Sequence, residues 1–571
     1  MSPQASPVSI VHWLLLSAAT LGGCGSESPD RGSGGAGGAP SGPDPVASFG
    51  VEVLELTPTF ESMGIRVSFT GDGNADSVCH LEYRPEGAAS WRRAHDLWAD
   101  HGRDLYVGSV VLLQPDTPYE FRLSVEDPDG VPDPSVLSAS GRTWSETFPV
   151  GEQQSAVDGS TPVTIDTSGT AAGYRLYAPP SGQRASINVG MSVEDAMTID
   201  ADYVIVRDID FVGGSRNGIR IANSRHDVVI EGCTFTQFGP AGKAHGPDTL
   251  PDGLENAAIA VGTSWDGSGV ARVVIQRNTI HDPNGGSNSW DEGHPDGPHG
   301  IFLLETDGNH VIRYNHIYSS AEHWYNDAIG GGQNFSTTAG NINRDTDVYG
   351  NVISEVWDDA IEVEGRDENC RIWGNFIESS FVGVATGSVT VGPMYEFRNV
   401  FSNNVASESN PDERGIGFKC GYEDGVQGPQ LNFFNTVTGP NAPRNALGPW
   451  AGPMYNTTTR DNIFDVDGTP VSDDTASATN SFDYDLLHPD ASWDTGDGDY
   501  EHVIYGVPVL VPTGPYGGSY GRFLDPSSPG YRAGTAVPNF GDAADGSPID
   551  DPDVGAFDER AAPLRFGPTM G

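Results

Sequence analysis

From about residue 160 to residue 462 the chain is written in short runs of alternating apolar and polar residues, and no stretch keeps the 3.6-residue period of a helix. Two motifs recur through it. The first is a variable residue (polar or small in all copies but one), a small residue, then Ile or Val: Asn217-Gly218-Ile219, Ala257-Ala258-Ile259, His299-Gly300-Ile301, Asp327-Ala328-Ile329, Asp359-Ala360-Ile361, Val382-Gly383-Val384 and Arg414-Gly415-Ile416. The second is apolar-x-x-Asn-x-apolar, with its Asn at 278, 315, 351, 375, 399, 435 and 462 and with Cys233 in that place in the first turn. The step ranges from 24 residues (351 to 375) to 37 (278 to 315). A β-branched repeat of this length predicts an all-β solenoid, a right-handed parallel β-helix. Propeller blades would be more even in length. One Asn per coil predicts a ladder of stacked side-chain amides at a bend, and copies spread along a rod cannot share one active site.

The flanks read differently. Residues 1–23 end an apolar run (Ser9–Leu21) at Leu21-Gly22-Gly23-Cys24, which resembles a bacterial lipobox and implies lipidation of Cys24. That resemblance places the chain in the cell envelope, as a surface-facing outer-membrane lipoprotein or a secreted one. Residues 24–46 read as a flexible Gly/Ser/Pro tether. Residues 47–145 carry short alternating strands, and LLQPDTPYEFRLSVEDPDG (112–130) resembles part of a fibronectin type III module. The resemblance implies a β-sandwich with Leu113, Tyr119 and Phe121 at corner and core positions and Trp91 on the buried side. Residues 146–160 read as a linker, 161–500 as the β-helix, and 501–571 as a segment capping its last coil. Long loops are expected at 238–256, 281–298 and 333–346, where solenoids carry function.

Charge narrows the partners. A net charge of −49 argues against nucleic acid and offers no basic surface to anionic lipid. The five Cys show no CxxC spacing, so neither a Cys-based zinc site nor a disulfide framework is expected, and Cys233 is expected to face inward. Of 30 basic residues only Lys243 and Lys419 are lysines.

Within a strand, residues i and i+2 share a face. Aligned on their Ile or Val, the repeats put Ile219, Ile259, Ile301, Ile361 and Ile416 inside. Outside stand Arg220, Ala260, Phe302, Gly330 with Gly332, Glu362 with Glu364, Ala385 with Gly387, and Gly417 with Lys419. Small residues beside the glutamates predict a shallow trough floored by acids, with Asp327 and Asp359 stacked on neighbouring coils. Such a face is either a solvated acidic surface or a charge cluster that needs a cation; Asp327, Asp358, Asp359, Glu362 and Glu364 together favour a cation, and all-oxygen ligands favour Ca2+.

Asp358-Asp359-Ala360-Ile361-Glu362, followed two coils later by Gly417-Phe418-Lys419-Cys420-Gly421, resembles the site of the family-9 polysaccharide lyases, β-helix pectate lyases. The resemblance implies Asp327, Asp358, Asp359 and Glu362 as calcium ligands and Lys419 as the base in β-elimination from a uronate-containing polysaccharide. Here Glu362 stands where the family has a last Asp, and one coil (381–387) separates the acids from Lys419, two strand spacings or about 9.6 Å. Arg414 is a candidate for the substrate carboxylate. Trp357, Trp324, His299 and His323 are candidate substrate contacts, with Trp290 and His294 nearby. A glycoside hydrolase using Glu362 with Glu364 or Asp359, an epimerase, and a non-catalytic glycan-binding lipoprotein are the other readings. A monomer is expected.

Overall fold

The computed structural model describes residues 43–568 apart from 51–54, 244–255, 333–335, 388, 406–413, 422–426, 440–441, 443, 450–451, 467, 474–476, 490–493, 496–500 and 513–519. Cys24, the lipobox and most of the tether lie outside the described residues, as does most of the loop expected at 238–256.

The repeat region folds as a parallel β-helix with three sides, each a 12-stranded sheet. The first sheet runs from Val150–Ser155 to Ser481–Asp483, the second from Val163–Ile165 to Asp494–Thr495, and the third from Ala185–Gly190 to Ile504–Tyr505. Strands pair parallel with the next coil, Ile219 with Ile259, Ile259 with Ile301, Ile301 with Ile329, and Ile329 with Ile361. These inward residues are fully buried in one continuous core with Cys233. The strand Val150–Ser155 falls in the segment read as a linker, and it pairs with Tyr174–Ala178 as the first rung of the first sheet.

The Asn column is a ladder. Each Asn from 278 to 435 donates its side-chain amide at 3.0–3.1 Å to the Oδ1 of the Asn one coil on, which also accepts the backbone N–H of the first. The Cys233 N–H enters it through Asn278 Oδ1, and Asp485 ends it by accepting from Asn462. Every rung answers polar groups that burial would otherwise leave unpaired.

Residues 46–142 form two antiparallel sheets, one ordered 46–49, 63–71, 105–110, 98–100 and the other 92–93, 78–85, 118–126, 136–142. Leu113, Tyr119 and Phe121 are buried between them as expected, and the Tyr119 hydroxyl accepts the Gln114 N–H at 2.9 Å. Trp91 is not in that core. It is half-buried on an outer face under the guanidinium groups of Arg84 and Arg122, at 4.3 and 4.6 Å, a cation–π stack between β-strand neighbours.

The sandwich lies against the outer face of the first sheet. Phe60 and Val111 pack with Tyr349, Tyr395 and Phe433. Buried ion pairs join the two: Arg66 to Asp345 (2.6 Å) and Glu368 (2.5 Å), Arg103 to Glu368, and, within the helix, Arg371 to Asp347 (2.5 Å). The C-terminal segment does not simply cap the last coil. Leu524 and Val554 cover Ile463 and Leu486 near the end, but the chain then runs back along the flank. Phe540 packs on Tyr395, Phe397 and Phe433, Asn539 bonds both backbone groups of Val111, and the Gly567 N–H reaches the Gly350 carbonyl at 2.9 Å. The apolar outer face of the first sheet needs this cover along its length.

Candidate active site

The second sheet keeps its outer face free of the sandwich, and the acids gather there. Ile329 pairs with Ile361, and the Asp359 N–H donates to Asp327 Oδ1 at 3.0 Å, so the two aspartates stand on neighbouring coils at one lateral position, as the repeat predicts. Gly330 allows the approach: a Cβ there would stand 3.0 Å from Glu362 Cβ and 3.1 Å from its Oε2. Oxygens of Asp327, Asp358 and Asp359 come within 4.8 Å of one another, and so do those of Asp359, Glu362 and Glu364.

The register of the Lys419 strand departs from the sequence alignment. Val384 pairs with Phe418 and Ala385 with Lys419, not Val384 with Ile416. The slip is two residues, so Lys419 still faces outward, but it stands in the column of Glu362 and Ala385 rather than that of Glu364. Ala385 on the intervening coil is small enough for the lysine to lie across it. Lys419 Nζ reaches Asp359 Oδ2 at 2.8 Å and Glu364 Oε1 at 3.1 Å. A backbone two coils away therefore delivers its amine into the acid cluster.

The trough is not open as the sequence reading expects. Asp327, Asp358, Asp359, Glu362 and Glu364 are all at most 5 % exposed. The 288–297 loop helps to cover them: Trp290 Nε1 donates to Asp358 Oδ1 at 3.3 Å, its ring lies 6.0 Å from that of Phe381, and His294 Nε2 stands 3.7 Å from Asp358 Oδ2. Asn288 holds that loop, donating to the Ser289, Gly293 and His294 carbonyls and accepting the Asp296 N–H. His299 Nε2 and Asn326 Nδ2 both contact Asp327 Oδ2, at 3.1 and 3.2 Å.

Five carboxylates face one ammonium, an excess of four negative charges if all ionise. Burial pushes the carboxyls of Asp358 and Glu362 well above the carboxylate range, and their acidic neighbours push further. Asp359 is also raised by burial, with Lys419 pulling against it. Glu364 is pushed up to about 7 by burial, again opposed by Lys419. Burial alone would lower the Lys419 ammonium, but Asp359, Glu364, Asp358 and Glu362 outweigh it and hold the group well above its ordinary value. Asp359 Oδ1 is buried without a hydrogen-bond donor. An oxygen-only cluster with surplus negative charge and an unsatisfied oxygen suits a hard cation such as Ca2+.

Of the other candidates, His299 touches the cluster, while the rings of Trp324 and Trp357 pack on each other at a 34° tilt, centroids 4.5 Å apart and both half-buried. His323 turns its Nδ1 to the Gly285 carbonyl at 3.3 Å. Arg414 donates from Nη1 to the Ala442 carbonyl at 2.7 Å. Asn288 and Asn326 escaped sequence reasoning; neither belongs to a repeated motif, although Asn326 adjoins Asp327.

No protein-family model and no curated protein sequence matches the chain. Among solved structures it is similar to the pectate lyase Pel9A, with 13 % identity and a TM-score of 0.40 over 72 % of this chain and 86 % of that one. It is also similar to a Yersinia enterocolitica family 28 exopolygalacturonase, with 12 % identity and a TM-score of 0.31 over 81 % and 100 %. Likeness at that level assigns no residue a role.

Proposed function

We propose that this chain is a polysaccharide lyase that cleaves a uronate-containing glycan by β-elimination, with Lys419 as the base. The observation that carries the reading is the reach of Lys419 Nζ across Ala385 to Asp359 and Glu364, beside a three-carboxylate oxygen cluster. Asp327, Asp358, Asp359 and Glu362 would hold Ca2+. What the bound cation supplies is positive charge against which the substrate carboxylate is neutralised, making H5 more acidic.

The rest falls to the chain's own residues. Neutral Lys419 Nζ takes H5 from the uronate; the C5–H electron pair becomes the C4–C5 double bond, and the C4–O bond breaks with its electron pair on the leaving sugar's oxygen, which takes a proton from water. In the fold as described the surrounding acids keep Nζ protonated, so turnover depends on offsetting their charge. Trp290, anchored by Asn288, keeps Asp358 oriented and water away from it. Trp324 and Trp357, in contact with each other, offer a sugar platform. Glu364, fully buried, is poorly placed to touch a sugar, which disfavours the hydrolase pair.

Cys24 lipidation and an outer-membrane location belong to the same proposal, and labelled palmitate that incorporates equally into Cys24→Ala would refute them. Cleavage is tested on pectic, alginate and glycosaminoglycan polymers by ultraviolet absorbance and by reducing ends. A lyase raises both; new reducing ends without absorbance would indicate a hydrolase, and neither a binding protein.

A further inference from the structure

On the flank away from the acids, the sandwich, the first sheet and the returning C-terminal segment enclose a cavity of about 530 Å³. That size lies in the range of ligand pockets, roughly 300–1,000 Å³. One wall is aromatic: Tyr349 stacks on Trp373 with centroids 4.2 Å apart and planes at 9°, and Tyr314 meets Tyr349 edge-on at 5.4 Å. Three guanidinium groups, from Arg277, Arg398 and Arg565, also line it, in a protein with only 30 basic residues and a net charge of −49.

Two buried donor groups stand there. Arg398 is 4 % exposed and donates from Nε and Nη2 to the carbonyls of Ala556 and Ala562, at 3.1 and 2.8 Å, and no carboxylate lies within ion-pair distance of it among the described residues. Trp373 is 6 % exposed and its indole N–H has no acceptor. The two carboxylates on the wall already have partners, and together they do not offset the three guanidinium groups. Glu146 pairs with Arg313 at 2.8 Å, with Arg277 at 3.6 Å, and Glu61 accepts the Tyr349 hydroxyl at 3.2 Å. Burial, partly offset by Arg313, pushes the Glu61 carboxyl up to about 7, so it contributes less than a full negative charge at neutral pH. The cavity is therefore cationic where the rest of the protein is anionic.

We propose that this cavity is a second, non-catalytic binding site for an acidic sugar, a uronate or short oligouronide whose carboxylate is held by Arg398 and Arg277 and whose ring lies against the edges of the Tyr349–Trp373 stack. An acidic sugar supplies both parts, a planar carboxylate matching guanidinium geometry and an apolar ring face that the aromatic edges can meet. The choice of sugar rests on the function proposed above; the charge and the aromatic wall do not. A site formed by three parts of the chain would tie ligand to the packing of all three.

Titration calorimetry on the full chain, in EDTA, with galacturonate, trigalacturonate and neutral galactose tests this. Binding of trigalacturonate should survive Asp359→Asn and Lys419→Met unchanged, weaken at least tenfold in Arg398→Gln, and weaken severalfold in Arg277→Gln and Trp373→Phe; galactose should not bind. Arg277 is partly exposed, so Arg277→Gln keeps the test sound should Arg398→Gln misfold. Uronide binding unaffected by Arg277→Gln and Trp373→Phe, or no uronide binding in EDTA, overturns the proposal. Cleavage is read separately: an active enzyme with an unoccupied flank refutes this site alone, and a binding flank without cleavage refutes the lyase alone.

Discussion

Two groups of buried carboxylates sit on different sides of the solenoid, and they differ in how their charge is met. Under the sandwich, the buried Asp345, Asp347 and Glu368 face Arg66, Arg103 and Arg371, three against three, with the less buried Asp100 also on Arg103. Burial pushes the Glu368 carboxyl up, but Arg66 and Arg103 outweigh it and hold it below the carboxylate range. On the second sheet, among the described residues, five acids face one lysine and two histidines, Lys419, His294 and His299, and Asp358 and Glu362 are raised well above that range. Both groups are equally buried, so burial does not distinguish structure from chemistry. The charge balance does: matched, the acids hold domains together; unmatched, they store a field that a cation or a proton must answer.

The sharpest way to break that contrast is at Lys419. Lys419→Met should lower cleavage at least a thousandfold, within the range general-base catalysis supplies, and Lys419→Arg should be nearly as inactive because a guanidinium stays protonated. Calcium binding should persist in both. Full activity of Lys419→Met on any polyuronate removes the base and with it the functional half of the comparison.

Next come substitutions that exchange the behaviour of the two groups. Arg371→Met strands Asp347 and should cost about 3–5 kcal/mol, with no dependence on calcium. Asp359→Asn should leave the calcium-free protein as stable or more so and abolish the calcium-induced rise in Tm, a rise worth about 2.7 kcal/mol at a hundredfold excess over Kd in the wild type. Differential scanning calorimetry with calcium and with EDTA reads both. An unchanged calcium increment in Asp359→Asn would place the cation elsewhere.

Opposite pH dependences should follow. Glu364 is about 7 folded against 4.5 unfolded, so between those values the folded state holds the extra proton, and calcium-free stability falls as pH rises through that window. Glu368 is lowered on folding, so its contribution is present above its unfolded value of 4.5 and is lost as acid protonates the folded carboxylate. Urea titrations in EDTA from pH 4.5 to 7 should show the decline, and Glu364→Gln should flatten it. A wild type whose stability rises over that window contradicts the charge surplus.

The smallest effect belongs to the paired tryptophans. Trp324→Ala or Trp357→Ala should raise KM about three- to tenfold with kcat little changed, since each removes sugar contact and not chemistry. An equal fall in kcat would move them from platform to catalytic geometry.

The solenoid was legible because its devices repeat. Ile or Val at each coil dictates which face turns inward, and a buried Asn every 24 to 37 residues finds its partner in the residue stacked on the next coil, another Asn or, at the end, Asp485. The pairing of Asp327 with Asp359 follows from the same repeat, as does the outward face of Lys419, because a period of two survives any even slip. What repetition could not fix is the slip itself. The step around Lys419, from Asn399 to Asn435, is 36 residues where the two before it are 24, and the register that sets Lys419 beside Ala385 pairs Phe418 with Val384. The cover over the acids was also beyond the sequence, since it comes from a loop two coils earlier that has no repeat signal, held by Asn288. Trp91 and the C-terminal segment were misplaced for a related reason: composition shows that a residue is apolar, not which of two outer faces will claim it. Local alternation thus determined the β-helix, its inward residues and the acids' shared side. Only the tertiary structure decided that those acids are buried, that one lysine crosses a coil to reach them, and that three arginines converge on a cavity on the far flank, because each depends on contacts between segments whose separation in sequence carries no periodic trace.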